Sequence, residues 1–212
     1  MTKGAVTAGS PFGTYQTMSP TNNASNLAGA MIYQIGKTLT SGATYVTSSL
    51  VKYSAGSGWF IIRTYDTGTG GARAWFDLQN GVVGTTQSSA VLDHGMIDYG
   101  DGWWLCWASS NATSTSGGFI VEVPTSNGGF STSTADVILI AGAQFEQGAT
   151  PSSYIPTGSS TVTRAAETLT VPAANLPYLT TAVETTGTEL VTNGTFDSDS
   201  GWTLNNSVIS NG

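Results

Sequence analysis

The sequence predicts an all-β fold, an antiparallel β-sandwich of jelly-roll type, and three observations lead to this prediction. No long segment repeats its apolar residues at the spacing of an amphipathic helix. Short segments rich in β-branched and aromatic residues follow one another closely, and clusters of Gly, Asn and Asp separate them. The 212 residues are 39% hydrophobic and 10% aromatic, so that much apolar surface requires a buried core.

The sandwich is assigned to residues 26–170 and is preceded by an N-terminal arm, residues 1–25. Alternation or enrichment in β-forming residues predicts seven strands. These predicted strands are Thr44–Lys52, Trp59–Tyr65, Arg73–Leu78, Val82–Thr85, Gly102–Ala108, Gly118–Val123 and Asp136–Phe145. Turn clusters such as Asp66–Gly71 (DTGTGG) lie between them. Strands spaced so closely indicate an antiparallel sandwich rather than βαβ units.

The pattern changes after the sandwich. Thr168–Glu189 contains Pro172 and Pro177 among many Ala and Thr residues, without clean alternation. We interpret this stretch as an extended connecting arm, with residues 171–188 as the linker proper. Residues 189–212 restart a folded pattern but are too few for a core of their own. They are expected to be the first strands of a second, truncated β domain.

Charge and cysteine content exclude several classes of partner. The chain has 6 basic and 13 acidic residues, a net charge of −7, and basic residues that are scattered singly. Without a basic stripe to neutralise phosphates, nucleic acid and anionic membrane surfaces are not expected as partners. The apolar runs are far shorter than the roughly 20 residues that cross a bilayer. Cys106 is the only cysteine, which excludes a disulfide framework and a Cys-based zinc site.

Three stretches of the predicted sandwich resemble a module that recurs in phage and prophage tail proteins. They are Trp75–Gly84 (WFDLQNGVVG), Gly100–Cys106 (GDGWWLC) and Gly142–Thr157 (GAQFEQGATPSSYIPT), followed by Val162–Glu167 (VTRAAE). That module is a concanavalin-like or carbohydrate-binding β-sandwich, and the matching stretches occur in its order. Trp104, Leu105 and Glu167 depart from its usual residues. Separately, Glu189–Thr203 (ELVTNGTFDSDSGWT) is similar to the opening of a carbohydrate-binding-module jelly roll.

The resemblance implies a non-enzymatic virion structural protein of a tailed bacteriophage, synthesised in the host cytoplasm. It would serve as a tail fibre, tailspike or baseplate-associated adhesin, a homotrimer beside other virion proteins, that binds bacterial surface polysaccharide. Weak binding repeated over several copies would then secure the host through avidity. Two alternatives stay open. One is a purely architectural capsid or tail decoration protein that binds no glycan, and the other is the accessory module of a larger glycan depolymerase.

Aromatic residues are the candidates for glycan or interface contacts. Trp104, Trp59 and Tyr65 are singled out, because a flat exposed ring binds a sugar by covering its C–H surface. Trp103 and Trp104 are neighbours on one strand and therefore lie on opposite faces of the sheet. The same pattern is typical of a central strand covered on both sides, in which both tryptophans, and Trp103 above all, are structural.

Structural roles are also assigned to three residues of the matched motifs. Tyr154 is expected to form a packed corner. Glu146 follows the last predicted strand, and Arg164 lies in the VTRAAE stretch. Because an arginine can hold a carboxylate bidentately, Glu146 and Arg164 are both expected to help close the edge of the sandwich.

No constellation of catalytic residues is recognisable. Asp66, Asp77 and Glu122 are carboxylates that a glycosidase pair would need, but no motif joins any two of them. The single His94 and the mid-strand Cys106 lend no support to a nucleophilic triad. The chain is therefore expected to be no enzyme.

No cofactor is expected, and calcium is the metal that the sequence best accommodates. Asp93, Asp98 and Asp101 are close in sequence, yet they lack the spacing of a calcium loop, and turn aspartates commonly bind the backbone instead. Asp197 and Asp199 are the better candidates. They lie early in the stretch that resembles a carbohydrate-binding jelly roll, where such domains often hold calcium.

Overall fold

The computed structural model describes residues 2–3, 5–27, 30–87 and 91–156, and these residues form strands and no helix. The strands are β1 (Thr2–Lys3), β2 (Thr7–Ser10), β3 (Gly13–Ser19), β4 (Met31–Thr38), β5 (Thr44–Ala55), β6 (Trp59–Asp66), β7 (Ala72–Asp77), β8 (Val82–Gln87), β9 (Val91–Asp98), β10 (Trp103–Asn111), β11 (Ser116–Glu122) and β12 (Val137–Gln147). The all-β class is confirmed. The seven predicted strands are present as β5, β6, β7, β8, β10, β11 and β12.

The strands form two antiparallel sheets. The larger sheet has the order β1-β3-β12-β5-β10-β9, with β2 paired to β3, and the smaller sheet has the order β4-β11-β6-β7-β8. Two packed antiparallel sheets confirm the predicted sandwich, while its jelly-roll connectivity stays a prediction. Within the described residues no helix is long and apolar enough to cross a bilayer.

The N-terminal segment belongs to the sandwich. Strand β3 pairs with β12, and in this register Met18 lies opposite Ile138. Both side chains are buried in the core. The sandwich therefore begins before the predicted boundary at residue 26, because the first residues complete the larger sheet instead of forming a separate arm. The predicted end of the sandwich at residue 170, the linker 171–188 and the second domain 189–212 all lie outside the described residues.

The core forms between the two sheets because residues on each strand alternate between faces. In β6, Phe60 and Ile62 point towards the larger sheet and are fully buried. Ile61 and Arg63 point the other way, onto the outer face of the smaller sheet. The buried members of the core are Met18, Val51, Phe60, Ile62, Ala74, Phe76, Leu78, Cys106, Ala108, Phe119, Val121, Val123 and Ile138. Full burial of one large apolar side chain stabilises the fold by about 1.5–3 kcal/mol.

Strand β10 is a central strand with both faces covered, as one of the two sequence interpretations had it. It pairs with β5 on one side and β9 on the other. Cys106 lies in the core between the sheets, where burial raises the pKa of its thiol well above the usual value. Trp103 lies on the opposite face and is 3% exposed. Its ring contacts Tyr15 of β3 edge to face, with 5.6 Å between ring centroids.

Candidate functional site on the outer face of the smaller sheet

The outer face of the smaller sheet carries one row of side chains that crosses all five strands. The register places Tyr33 opposite Ile120, Ile120 opposite Arg63, Arg63 opposite Arg73, and Arg73 opposite Gln87. Directly opposed residues of an antiparallel pair lie on the same face, so these five residues, the arginine row, form a continuous line. Neighbouring strands are about 4.8 Å apart, which makes the row about 19 Å long.

A buried carboxylate holds the two arginines of this row. Glu122 is 0% exposed and lies one row away, on the same outer face. The Nε of Arg73 donates a hydrogen bond of 3.0 Å to Oε2 of Glu122, and its Nη2 donates one of 3.5 Å to Oε1. Nη1 of Arg63 lies 3.7 Å from the same Oε1. Because a buried charge without a partner is costly, Glu122 ties both guanidinium groups to fixed positions.

Arg63 is also fixed from two other directions. Its Nε donates a hydrogen bond of 2.7 Å to the backbone oxygen of Gly70. Its guanidinium carbon lies 4.9 Å from the ring centroid of Tyr65, a cation–π geometry. Burial lowers the pKa of Arg63, and the neighbouring Arg73 lowers it further, whereas Glu122 and Tyr65 raise it. An arginine stays protonated at neutral pH in any case, so the row carries a rigid cation.

The ends of the arginine row are open to solvent. Tyr33 is 58% exposed, and Gln87 is exposed at the other end of the row. Oε1 of Gln87 accepts a hydrogen bond of 2.9 Å from Nη1 of Arg73, so that each nitrogen of that guanidinium donates to an acceptor. Arg63 and Tyr65 are partly buried. Tyr33 lies two strands, about 10 Å, from Arg63. One face therefore offers both an aromatic ring that can stack on a sugar and planar donors that can bind its oxygens.

Trp59 lies on the same outer face but in an apolar cluster. This cluster combines Ile61 and Trp75 with Leu27 and Phe130 from the connecting segments, and Trp59 packs against it while partly buried. An added Cβ at Gly84 would come within 2.8 Å of the Trp59 ring, so the ring lies close against that strand. Trp59 is four positions from Arg63 along β6, a distance of about 13 Å. Trp59 therefore borders the arginine row without belonging to it.

Trp104 connects the two sheets. Its ring packs against the core, and its indole nitrogen donates a hydrogen bond of 3.1 Å to the backbone oxygen of Leu78. Gly81, at φ +67°, lies under the ring, where an added Cβ would be 2.6 Å from it. The ring is thus engaged within the molecule and is not a flat exposed platform. These contacts favour the structural alternative for Trp104 over the glycan-contact role.

The other matched motif residues make contacts that hold the end of the described chain in place. Glu146 accepts hydrogen bonds from the backbone nitrogen (2.8 Å) and hydroxyl (2.7 Å) of Ser152, and from the amide of Gln144 (2.7 Å). The ring of Tyr154 stacks on Phe12, with centroids 4.6 Å apart and planes 8° from parallel. Arg164, which was also expected to help close the edge of the sandwich, lies outside the described residues.

The structure disperses the acidic residues that are close in sequence. Asp93 and Asp98 are five positions apart on β9, so their side chains leave opposite faces of the strand. Asp98 accepts a hydrogen bond from the backbone nitrogen of Gly100, as a turn aspartate does. Asp101 lies in the following turn, at φ 51°. In the described parts of the chain no three His, Cys, Asp or Glu side chains are close enough to hold a metal. Asp197 and Asp199 lie outside them.

Each of the three carboxylates that were candidates for a glycosidase pair binds structural partners of its own. Asp66 is buried and accepts hydrogen bonds from Gly68, Thr69 and Thr113. Asp77 accepts hydrogen bonds from the backbone nitrogens of residues 79 and 80, at the turn after β7. Glu122 binds the two arginines of the outer face. No two of these three carboxylates are hydrogen bonded to each other.

Sequence reasoning missed the pairing of Arg63 with Arg73. Both were counted as scattered single charges, but β6 and β7 form a hairpin, and a hairpin brings residues at equal distances from its turn together. The turn cluster Asp66–Gly71 lies almost midway between the two arginines, and this was the signal available in the sequence. Glu122 comes from β11, far along the chain, so no local pattern could have placed it there.

Comparisons with known proteins leave the structure as the main guide to function. The fold and the site define a class, the antiparallel β-sandwich with a polar and aromatic outer face. A search against models of protein families finds no match, and a search of curated proteins finds none either.

Proposed function

We propose that this chain is a non-enzymatic, glycan-binding structural protein of a tailed phage particle, and that it binds its glycan on the outer face of the smaller sheet. The observation that carries this proposal is the arginine row, in which an exposed tyrosine and two fixed arginines follow one another across the sheet. The motif resemblance described above supports the assignment to a phage tail, and the sandwich is a fold that fits it.

Binding at such a face is expected to be weak at each copy. The arginine row is flat, and a flat face covers little of a ligand compared with a deep pocket. Tyr33 offers its ring to the C–H surface of a sugar, and the partly buried Tyr65 adds a second ring beside Arg63. Presentation of many copies on one particle multiplies the attachment strength without any new contact. The proposed homotrimer and the virion location serve this avidity.

The test is binding of the multimerised full chain to a panel of bacterial surface polysaccharides, with Tyr33→Ala as the variant. Loss of one aromatic contact, about 0.5–1.5 kcal/mol, predicts binding about two to ten times weaker per site. The matched control is Tyr99→Ala, since Tyr99 is 43% exposed on the side of the larger sheet. Circular dichroism establishes that both variants are folded.

The outcomes separate this proposal from its alternatives. Weaker binding in Tyr33→Ala, with Tyr99→Ala unchanged, supports a glycan site on the outer face. Equal losses of affinity in both variants would indicate that the glycan does not bind at the outer face of the smaller sheet. Absence of binding to every polysaccharide, even after multimerisation, would overturn the proposal in favour of a purely architectural protein.

A further inference from the structure

The arginine row has a positive charge that the rest of the chain does not share. Arg63 and Arg73 bring two positive charges to the outer face, and Glu122 contributes one negative charge. The chain as a whole carries a net charge of −7 with only six basic residues. Two of these six therefore converge at one place, where Glu122, the one carboxylate paired with them among the described residues, balances only one of them.

The two guanidinium groups differ in how much of their hydrogen-bonding capacity is used. Arg73 donates from Nε and Nη2 to Glu122 and from Nη1 to Gln87. Arg63 donates from Nε to Gly70, and its terminal nitrogens have the 3.7 Å ion pair with Glu122 as their contact among the described residues. A guanidinium carries five N–H donors. Arg63 is thus held in place through Nε, its side chain is 15% exposed, and its terminal N–H groups donate no hydrogen bond to the described residues.

We propose that the arginine row selects glycans that carry negative charge, with Arg63 as the group that contacts the anion. This inference rests on the proposed function and names its ligand class. The anion is a sugar carboxylate or a sugar phosphate, because the planar edge of a guanidinium binds both. The ring of Tyr33, two strands away in the same row, is placed to cover an adjoining sugar. A neutral glycan would not neutralise the extra positive charge of the row.

Replacing either arginine would leave Glu122 buried with less compensation, so the test adds a charge instead. Gln87→Glu keeps an oxygen where Arg73 donates its hydrogen bond and removes the excess positive charge of the row. Gln147→Glu is the matched control, because Gln147 is an exposed residue of β12 in the larger sheet. The probes are the polysaccharides of the same panel in three forms: native, with carboxyl groups reduced to alcohols, and with phosphates removed.

The expected result is a loss of binding when the anionic group of a bound polysaccharide is removed. Gln87→Glu should lower affinity for the native form about tenfold, with Gln147→Glu within twofold, and added salt should weaken wild-type binding. If carboxyl reduction abolishes binding, the anion is a carboxylate, and if phosphate removal abolishes it, the anion is a phosphate. Equal binding of native and neutralised forms would overturn the charge selectivity while the glycan-binding proposal stands. Failure of every native polysaccharide to bind would overturn both.

Discussion

Asp66 holds the turn between β6 and β7 through hydrogen bonds from both backbone and side chains. Its carboxylate is 2% exposed and accepts hydrogen bonds from the backbone nitrogens of Gly68 (2.7 Å) and Thr69 (3.1 Å). The hydroxyls of Thr69 (2.8 Å) and Thr113 (2.7 Å) donate to it as well. The turn between β6 and β7 is thereby fixed, and with it the register that places Arg63 opposite Arg73. Asp66 thus supports the candidate site from the interior of the sandwich.

The ionised form of Asp66 should make the stability of the protein depend on pH. Burial raises the pKa of Asp66, but the hydrogen bonds from Thr113, Thr69 and Gly68 outweigh it, so the pKa lies below its usual 3.8. A lowered pKa in the folded state contributes stability above the unfolded value, and this stability is lost as pH falls through the folded value. We expect Asp66→Asn to lower the free energy of unfolding by about 2 kcal/mol at pH 7.

Urea denaturation of the wild type and of Asp66→Asn between pH 7 and pH 2 measures this contribution. The difference between the two proteins should be constant above about pH 5 and should shrink at lower pH. Asp98→Asn is the control, because Asp98 is exposed and accepts one hydrogen bond, from Gly100. If the difference in unfolding free energy persists unchanged at pH 2, Asp66→Asn destabilises the protein because the amide fits the site poorly, and the charge of Asp66 does not contribute.

At the scale of elements, the sequence predicts the strands that are rich in β-forming residues or alternate in part, and it misses strands whose pattern is interrupted. Strand β6 was recognised because Trp59–Tyr65 is rich in β-forming residues. Strand β9 was missed because Asp93, His94 and Gly95 interrupt its apolar pattern. Gly95 is there for a tertiary reason: an added Cβ would lie 2.7 Å from the indole nitrogen of Trp107 on the neighbouring strand. A glycine inside a strand often marks such a close approach, but its partner cannot be inferred locally.

The candidate site was predictable only in part, for the same reason. Tyr65 was singled out as an aromatic of a predicted strand, and it lies beside Arg63 on the outer face. Tyr33 was missed with its strand, β4, which carries a bulge opposite the step from Gly117 to Gly118. The bulge breaks the period of two on which strand prediction depends. Register between strands, which the bulge and the turns determine, is what assembles the arginine row.

The segment that follows β12 is held by side chains beyond Gly148, whose backbone nitrogen still donates to the backbone oxygen of Thr44. Glu146 accepts a hydrogen bond from the backbone nitrogen of Ser152, and Oε1 of Gln144 accepts one of 2.9 Å from that of Ile155. We expect Glu146→Ala to release residues 149–156 while leaving the sandwich folded, because strand pairing does not pass through this carboxylate. Loss of a hydrogen bond to a charged acceptor is worth about 1.5–3 kcal/mol, so the amide of Ser152 should exchange at least about tenfold faster.

Hydrogen exchange measured residue by residue tests this expectation. The amides of β5 and β10 in the centre of the larger sheet are the internal reference, and Gln147→Ala, an exposed neighbour, is the control variant. Faster exchange confined to residues 149–156 supports a local role for Glu146. Faster exchange throughout the larger sheet would contradict it and would make this carboxylate essential for the whole sandwich.

At the scale of the whole molecule, net charge and exposed edges together determine whether copies stay apart. The smaller sheet ends at β8 and the larger sheet at β9, and these two edge strands contact each other. Val82 and Val83 of β8 and Leu92 and Ile97 of β9 are all between 41% and 53% exposed. Edge strands with exposed apolar side chains tend to associate. At neutral pH the charge of −7 opposes that association through repulsion between copies.

Light scattering of the full chain should therefore rise as pH falls from 7 towards the sequence pI of about 4.3, where repulsion between copies vanishes. Asp66 stays ionised in the folded state at this pH, because its pKa is lowered, so the fold should persist through the transition. Leu92→Glu should suppress the association above the pI, since it removes apolar surface from the edge and adds negative charge to a chain that is already negative. Gln147→Glu changes the net charge equally at a distance from that edge. If both variants suppress association to the same extent, net charge alone governs it, and the edge strands have no special part. A larger effect of Leu92→Glu locates the contact between copies at β8 and β9.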